Sequence, residues 1–392
     1  MPDSDADGGA KPNMHIEVSA VMPCLNEERT LGACIQKAQQ AFVTMGVLGE
    51  VVVADNGSTD GSVGVAKSFG ANVVYQPVKG YGAALVAGIE AARGRVVVIA
   101  DADDSYDWEA LPDFVNKIDE GFDLVMGNRF KGGIAPGAMP PLHRYLGNPV
   151  LSTLARVMYR IPIGDFHCGM RSFTREAFAR MQPRTTGMEF ATEMVVNAGH
   201  SGLRIAEIPT RLFPDGRDRP PHLRSFRDGW RHLRFMLTYA PDWLFLVPGL
   251  LFAALGLLGV LALARGPIAL NGFSMGIHFL ALFSMISLLG SNIAGFWLLS
   301  KLINAPRVPL EENSLSGRLL RYFSLERGLI AGVTMVLVGF AINVTIFYQW
   351  IDRARGDMTD TVHLAFSVAT VIVLGVNLMF GSFLLHNLKD RG

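Results

Sequence analysis

The sequence predicts an α/β domain built on a parallel sheet, followed by an amphipathic interfacial helix and four transmembrane helices. Up to about residue 240, charged residues are frequent and short apolar runs alternate with amphipathic segments. Strand, turn and helix repeating every ~20–25 residues is typical of a sheet covered by helices on both faces. Beyond residue 240, four long runs carry almost no charge. The 35 basic and 35 acidic residues cancel, so the charge gives no case for nucleic-acid binding.

Five apolar segments in the first half are predicted strands. They are residues 18–22, 51–55, 73–76, 96–100 and 124–126. The first is followed by a predicted helix that turns Leu31, Ile35, Ala38 and Phe42 inward. Asn26 is the expected N-cap of that helix.

Polar residues recur where these strands end. Ligands of parallel sheets bind at the carboxyl ends of the strands, so convergence there predicts a binding site. The residues placed at this edge are Pro23, Asn26, Asp55, Lys79, Asp101 and Arg129.

The fourth strand runs directly into Asp101-Ala-Asp103-Asp104. Side chains alternate along an extended chain, so Asp101 and Asp103 are expected to point one way and Asp104 the other. Two adjacent carboxylates favour a hard divalent ion that also binds phosphate, either Mg²⁺ or Mn²⁺. The alternative is that these residues only cap a helix or solvate a turn. A calcium-binding loop is excluded, because Tyr106 and Pro112 stand where Gly and Glu are needed.

The remaining soluble segments carry few signals. The first fourteen residues are polar and acidic, so a disordered tail is expected at 1–14 rather than a signal peptide, with the α/β domain at 15–215. Three scattered cysteines predict reduced, structural thiols.

An interfacial helix is expected within residues 216–242. Apolar residues recur at helical spacing beside repeated arginines, which suits a helix lying among lipid headgroups. A solvated charged face is the alternative. The apolar set is Leu223, Phe226, Trp230, Leu233 and Leu237, and the basic set is Arg224, Arg227, Arg231 and Arg234.

Four transmembrane helices are expected in residues 243–392, at about 243–264, 277–299, 328–351 and 361–385. Basic residues concentrate between the second and third spans and in the tail (Lys301, Arg307, Arg318, Arg321, Arg327, Lys389 and Arg391). The positive-inside rule then places the α/β domain and the C-terminus on the cytoplasmic side of a plasma or inner membrane. Polar residues within the spans are few, which favours an anchor or lipid guide over a transporter.

Several motifs, taken in order, resemble the family-2 glycosyltransferases of the GT-A fold. They are Pro23-x-x-Asn26-Glu27, Asp55-Asn-Gly-Ser-Thr-Asp60-Gly, Lys79-Gly-x-Gly82-Ala-Ala and Asp101-Ala-Asp103. Three further segments narrow the resemblance to the polyprenyl-phosphate glycosyltransferases, the dolichol-phosphate mannose synthase group. These are Gly127-Asn128-Arg129, Asp165-x-x-Cys-Gly169 and Glu207-Ile-Pro209. The resemblance covers roughly residues 16 to 235.

The resemblance implies a membrane-bound, inverting hexosyltransferase. A nucleotide-sugar donor of the GDP-mannose or UDP-glucose type would meet a polyprenyl phosphate acceptor, undecaprenyl or dolichyl. Donor binding would fall to Pro23, Asn26, Glu27, Asp55, Lys79, Gly82 and Asp101. Asp101 and Asp103 would hold the divalent metal, and Arg129, Arg144 and Arg217 the acceptor phosphate. The catalytic set would be Asp101, Asp103, Arg129 and Asp165.

This sequence departs from the family pattern at three places. Ser105 stands where relatives often have a metal-ligating Gln, Asn128 stands where Ser is usual, and Asp165-Phe-His-Cys-Gly replaces Asp-Pro-x-Ser-Gly. The sugar, the choice of guanosine or uridine, and the isoprenoid length stay open.

Two other functions use comparable features. A processive polysaccharide synthase shares the nucleotide site but would carry Gln-x-x-Arg-Trp before a span, and that string is absent. A membrane transport or assembly protein with a non-catalytic nucleotide-binding domain is the other alternative.

Overall fold

A mixed seven-stranded sheet forms the centre of the N-terminal part of the protein. The computed structural model describes residues 15–217, 225–270, 272–305, 314–352 and 359–389. The strands are β1 (Val18–Cys24), β2 (Gly49–Asp55), β3 (Asn72–Tyr75), β4 (Val96–Ile99), β5 (Leu124–Asn128), β6 (Arg171–Thr174) and β7 (Ile205–Pro209). Their order in the sheet is β3-β2-β1-β4-β6-β5-β7.

Helices cover both faces of this sheet. They are α1 (Leu31–Met45), α2 (Ser62–Ser68), α3 (Tyr81–Ala91), α4 (Leu111–Asp119), α5 (Arg129–Gly132), α6 (Asn148–Tyr159), α7 (Arg175–Met181), α8 (Phe190–His200) and α9 (Ser225–Tyr239). Alternate residues of β1 enter opposite cores: Ala20 and Met22 pack on the α1 and α4 side, and Val21 packs on the α3 and α8 side. The five predicted strands and the α/β class are confirmed.

The expectation of a purely parallel sheet is wrong at β6. This strand pairs antiparallel with β4 on one side and with β5 on the other. Arg171, its first residue, lies opposite Ile99, the last residue of β4. The chain that leads into β6 therefore arrives at the edge where the parallel strands end.

The predicted cap of α1 is also wrong. The inward residues Leu31, Ile35, Ala38 and Phe42 are buried as expected, but the N-cap position is Thr30 and its side chain makes no capping bond. Asn26 lies four residues earlier with a positive φ of 59°. Its side-chain oxygen accepts a hydrogen bond from the Thr59 amide at 2.7 Å, so it joins two loops instead of capping the helix.

The amphipathic segment was predicted to have a single apolar face, but the buried and the exposed apolar residues of α9 lie on different faces. Asp228, His232 and Met236 are buried, and the Met236 carbonyl accepts a hydrogen bond from the Tyr159 hydroxyl at 2.7 Å. Phe226 and Trp230 stay 86% and 57% exposed. One face of the helix therefore belongs to the α/β core, and the interfacial role of the exposed face stays a prediction. Leu223 and Arg224 lie outside the described residues.

The chain forms two compact units, residues 1–236 and 237–392, and the second unit is helical. Among the described residues of this unit, four helices are long and apolar enough to cross a membrane: Asp242–Leu263, Ile277–Asn304, Leu325–Asp352 and Thr361–Lys389. The first ends in α10 (Val247–Leu263), and the others are α11, α13 and α14. A hairpin of β8 (Ile268–Leu270) and β9 (Phe273–Met275) follows α10, and α12 (Leu315–Tyr322) precedes α13. The four predicted spans are confirmed. The predicted tail at 1–14, Arg307 and Arg391 lie outside the described residues.

Close packing of small residues holds the membrane helices together. A Cβ on Gly290 of α11 would lie 2.1 Å from the Ala253 amide of α10, and one on Gly332 of α13 would lie 2.7 Å from the Gly375 carbonyl of α14. Such approach compensates for the missing hydrophobic driving force in lipid. At one end of the bundle, Asp242 accepts from the Trp297 indole at 2.6 Å and the Lys301 ammonium at 2.8 Å.

Candidate active site

A small pocket opens at the carboxyl ends of β1, β2 and β4. Its volume is about 80 Å³. Pro23 lies near the end of β1, and Glu27 comes from the loop after it. Asn56 comes from the loop after β2, and Asp101 from the loop after β4. Tyr81 begins α3, and Arg217 reaches in from the segment after β7. The topology thus brings together residues that are far apart in the sequence.

Asp103 and Asp104 turn in different directions at the pocket. Asp103 is buried, and its Oδ1 accepts from the Ser105 amide at 3.1 Å and the Ser105 hydroxyl at 2.5 Å. Asp104 has a positive φ of 61°, and its carboxylate pairs with Lys37 at 2.6 Å. Ser105, which stands where relatives often have a metal ligand, therefore positions Asp103.

Asp101 lies close enough to Asp103 for the two charges to interact. Burial raises the pKa of Asp101, and the negative charge of Asp103 raises it further, while Arg217 and the Tyr81 hydroxyl oppose the rise. A Cβ on Gly169 would lie 3.0 Å from Asp101 Oδ2 and 3.0 Å from the Tyr106 ring. The glycine that precedes β6 therefore leaves room for the Asp101 carboxylate.

Arg217 is the one predicted acceptor-binding residue among those that line the pocket in the described part of the chain. Its Nη2 lies 2.6 Å from Glu27 Oε1, and its Nη1 lies 3.1 Å from Asp103 Oδ2. Burial would lower the pKa of Arg217, but the carboxylates of Glu27 and Asp103 raise it, so the guanidinium is a fixed positive charge. It bridges the loop after β1 to the loop after β4.

Arg129 and Asp165 form a buried, two-pronged ion pair. Arg129 Nε and Nη2 donate to the two oxygens of Asp165 at 2.7 and 2.8 Å, and Asp165 has no exposed surface. Burial alone would raise the pKa of Asp165, but the charge and hydrogen bonds of Arg129 bring it below the ordinary value. A carboxylate held in this way positions Arg129 and is not open to a substrate in this conformation.

Glu207, from the Glu-Ile-Pro motif of β7, fixes the loop that carries Asp165. Its Oε1 accepts from the amides of Gly164 and Asp165 at 2.8 and 3.0 Å. Its Oε2 pairs with Lys131 at 2.8 Å. The motif that narrowed the family resemblance therefore supports the Arg129–Asp165 pair.

The remaining residues predicted to bind the donor mostly build the loops around the pocket. Asp55 accepts from the amides of Gly57 and Ser58, each at 3.1 Å. Lys79 Nζ donates to the Asn56 carbonyl at 2.6 Å. A Cβ on Gly82 would lie 2.3 Å from the Thr185 carbonyl, so this glycine permits close packing of α3.

Arg144 lies in a π-helical turn (His143–Gly147) that precedes α6. Its guanidinium is 5.5 Å from the Tyr145 ring. It is absent from the residues that line the pocket, so an acceptor role for Arg144 stays a prediction.

Sequence reasoning missed Asn56 and Tyr81 as site residues. Asn56 bonds the carbonyls of Gln76 and Val78 and the Gly80 amide, each at 2.8 Å, and so ties the loop after β2 to the start of α3. Both residues stand inside the quoted motifs, but only the fold shows that they face the pocket.

Asp101 and Asp103 are the residues that fit a divalent metal. Asp101 lines the pocket and the neighbouring Asp103 binds its Arg217. Such a pair of carboxylates suits Mg²⁺ or Mn²⁺, which take one or two carboxylates and draw other ligands from phosphates and water. Within the described residues, no group of three or more His, Cys, Asp or Glu side chains is arranged to hold a metal alone. Any such ion would thus depend on donor phosphates as well.

The mixed sheet, with its acidic loop after β4, is that of a GT-A transferase domain. Residues 19–181 match the family model described as glycosyl transferase family 2. Residues 298–389 match the family-2 C-terminal transmembrane region. The low-salt glycan biosynthesis hexosyltransferase of Haloferax volcanii is 39% identical over 95% of this chain and 89% of its own length. The chain belongs to glycosyltransferase family 2 and is an integral membrane glycosyltransferase.

Other similar proteins cover about half of this chain. The dolichyl-phosphate hexose transferase of Haloferax volcanii is 34% identical over 49% of this chain and 81% of its own length. A crystal structure of glucosyl-3-phosphoglycerate synthase from Mycobacterium tuberculosis, in complex with Mn²⁺, uridine diphosphate and glucosyl-3-phosphoglycerate, is 24% identical. It covers 57% of this chain and 80% of that one, with a TM-score of 0.47.

Proposed function

We propose that this enzyme transfers a hexose from a nucleotide-sugar to the phosphate of a polyprenyl lipid, with inversion at the anomeric carbon. The donor would be of the GDP-mannose or UDP-glucose type, and the acceptor undecaprenyl or dolichyl phosphate. The observation that carries the proposal is the pair of interacting carboxylates Asp101 and Asp103: Asp101 lines the pocket, and Asp103 binds the pocket residue Arg217 at 3.1 Å. The described residues of the same chain include four apolar helices. The name of the dolichyl-phosphate hexose transferase relative supports the same acceptor class.

Donor binding is assigned to the loops after β1, β2 and β4. Pro23, Glu27 and Asn56 line the pocket where the nucleoside and diphosphate would enter. Asn26, Asp55 and Lys79 hold the loop that shapes this entrance. A divalent ion bound at Asp101 and Asp103 would neutralise charge on the departing diphosphate.

The acceptor needs no strong general base. A phosphate monoester has a second pKa of ~6, so its oxygen is already nucleophilic at neutral pH. The protein must instead overcome repulsion between two anions, and arginines do so because their planar fork binds phosphate oxygens in pairs. Arg129, fixed by Asp165, is a preorganised positive charge for this purpose, and Arg144 and Arg217 are the other proposed contributors.

We propose that the active site lies on the cytoplasmic side. Lys301 and Lys389 lie near the C-terminal ends of the second and fourth spans, and Arg327 lies near the start of the third. Sequential crossing puts all three at one membrane surface, which the positive-inside rule assigns to the cytoplasm. The N-terminal domain precedes the first span and so belongs to that surface as well.

The test is a transfer assay on the full-length protein in membranes. Radiolabelled GDP-mannose and UDP-glucose are each supplied with one polyprenyl phosphate, and the label is partitioned between solvent-extracted lipid, polymer and water. We expect label in the lipid fraction for one donor. Asp103→Ala should reduce transfer by about two orders of magnitude or more, as expected when a metal ligand is lost.

Asp104→Ala is the matched control, because Asp104 is adjacent in sequence but pairs with Lys37 outside the pocket. It should retain most of the transfer activity. Label in polymer would favour a processive synthase, and equal effects of the two substitutions would remove the metal assignment.

A further inference from the structure

The guanidinium of Arg217 stands between two carboxylates of the active site. Its Nε lies 2.9 and 3.0 Å from the two oxygens of Glu27, and its Nη1 lies 3.1 Å from Asp103 Oδ2. The Arg217 side chain is only 15% exposed, against 4% for Glu27 and 8% for Asp103. These contacts are those of a charge enclosed by the site and not of a solvated surface arginine.

Backbone hydrogen bonds hold Arg217 in this position. The Phe213 amide donates to the Ser105 carbonyl at 2.9 Å, and the Gly216 amide donates to the Asp103 carbonyl at 3.0 Å. The segment that carries Arg217 thus runs along the acidic loop itself. The position of the guanidinium is therefore fixed by main-chain hydrogen bonds as well as by the ion pairs of the side chain.

Arg217 and a divalent ion would compete for the same oxygen atom. Asp103 Oδ1 accepts hydrogen bonds from the Ser105 amide and hydroxyl, so Oδ2 is the oxygen left for a cation, and Arg217 binds it. Two cations on one carboxylate oxygen repel each other strongly in a partly buried site. The ion can therefore enter only when the guanidinium leaves Asp103.

The size of the pocket leads to the same requirement. Its volume of about 80 Å³ is small beside the ~300–1,000 Å³ typical of ligand pockets. Arg217 is one of the residues that enclose it. A nucleotide diphosphate therefore needs this side chain to move.

We propose that Arg217 is a resident counter-cation that occupies the metal position of the donor site until a metal and nucleotide displace it. It stabilises Glu27 and Asp103 in the empty enzyme and weakens the binding of free metal. Once displaced, its guanidinium is available for the acceptor phosphate, so the donor binds first. This last step rests on the proposed function, whereas the competition with metal does not.

The experiment measures Mn²⁺ binding to the full-length protein in detergent, without nucleotide or lipid. Free Mn²⁺ is followed by its electron paramagnetic resonance signal. Because Arg217→Gln removes the competing charge, we expect its Mn²⁺ affinity to exceed that of the wild type by about ten-fold or more, which corresponds to ~1.4 kcal/mol or more. Arg217→Lys keeps the charge but cannot bind both carboxylates as a fork, so a smaller gain is expected.

The matched control is Arg211→Gln. Arg211 lies on the same segment, is exposed, and contacts the Phe213 ring at 5.7 Å, so its loss should leave Mn²⁺ affinity unchanged. Adding Asp103→Ala to Arg217→Gln should abolish the gain. Thermal unfolding with and without Mn²⁺ shows whether each variant is folded, and Arg217→Lys serves if the glutamine variant does not fold.

An unchanged or weaker Mn²⁺ affinity in the folded Arg217 variants would overturn the inference. The transfer assay reports separately on the proposed function. Tighter Mn²⁺ binding without any lipid product would support the competition between Arg217 and the metal. It would contradict the proposed polyprenyl phosphate acceptor. Lipid product together with an unchanged Mn²⁺ affinity would support the proposed function and overturn the competition between Arg217 and the metal.

Discussion

Replacing Asp165 by Asn should destabilise the catalytic domain strongly, because it leaves the Arg129 charge buried without its partner. The pair is joined by bonds of 2.7 and 2.8 Å, and the side chains are 9% and 0% exposed. Breaking a buried ion pair from one side costs ~3–5 kcal/mol. At roughly 2–4 °C per kcal/mol for a domain of this size, the midpoint of unfolding should fall by about 6–20 °C.

The assay is thermal unfolding of the full-length protein in nanodiscs, followed by a signal from the catalytic domain. Lys131→Met is the matched control, since Lys131 is 59% exposed in its pair with Glu207. Glu207 is 7% exposed, but it keeps its hydrogen bonds from the Gly164 and Asp165 amides when the exposed lysine is removed. The loss should therefore be about 1 kcal/mol, and the midpoint should fall by no more than a few degrees. Equal shifts for Asp165→Asn and Lys131→Met would refute the reasoning.

The pH dependence of this contribution has a fixed sign. The pKa of Asp165 is lower in the folded protein than its ordinary value of ~3.9. The stabilisation is therefore complete above about pH 4 and is lost as the pH falls through the folded pKa. In Asp165→Asn this acid-dependent loss should disappear.

Two glycines provide further tests with controls in the same chain. Gly169→Ala should push a methyl group against Asp101 and Tyr106 and reduce transfer about ten-fold or more, while Gly229→Ala, which meets nothing within 4 Å, should not. A transfer assay compares them, and equal activities would argue against the close approach to Asp101. Gly290→Val should separate α11 from α10 and lower thermal stability in detergent, because its Cβ would lie 2.1 Å from the Ala253 amide. Gly295→Val, on the same helix with open space, should leave the stability unchanged, and a similar loss in both variants would contradict the packing argument.

The strands and spans could be predicted because their signals are local. A buried strand such as β4 and a span such as α10 are each defined by consecutive apolar residues. The candidate site was predictable in part for the same reason, because Pro23 and Asp101 directly follow strands. Parallel strands bring such positions together without further information.

The features that escaped prediction depend on long-range contacts. Arg217 was expected at the site from the family resemblance, but its ion pair with Glu27 was not. The two residues are 190 positions apart, and no local pattern indicates that an arginine after β7 returns to the loop after β1. The direction of β6 is set by its pairing with β4 and β5. In α9 the hydrophobic pattern gave one apolar face that included Phe226, but the face that packs on the α/β core is the one that carries Met236.

The ion pair between Arg129 and Asp165 joins the two ends of a chain segment 36 positions long. Both ends of this segment meet at one point, so its exposed turns can change length at small entropic cost without moving the ion pair. Ala155, Ile161 and Ile163 within it are fixed by the core, so the pair and these three residues together set the register of the segment.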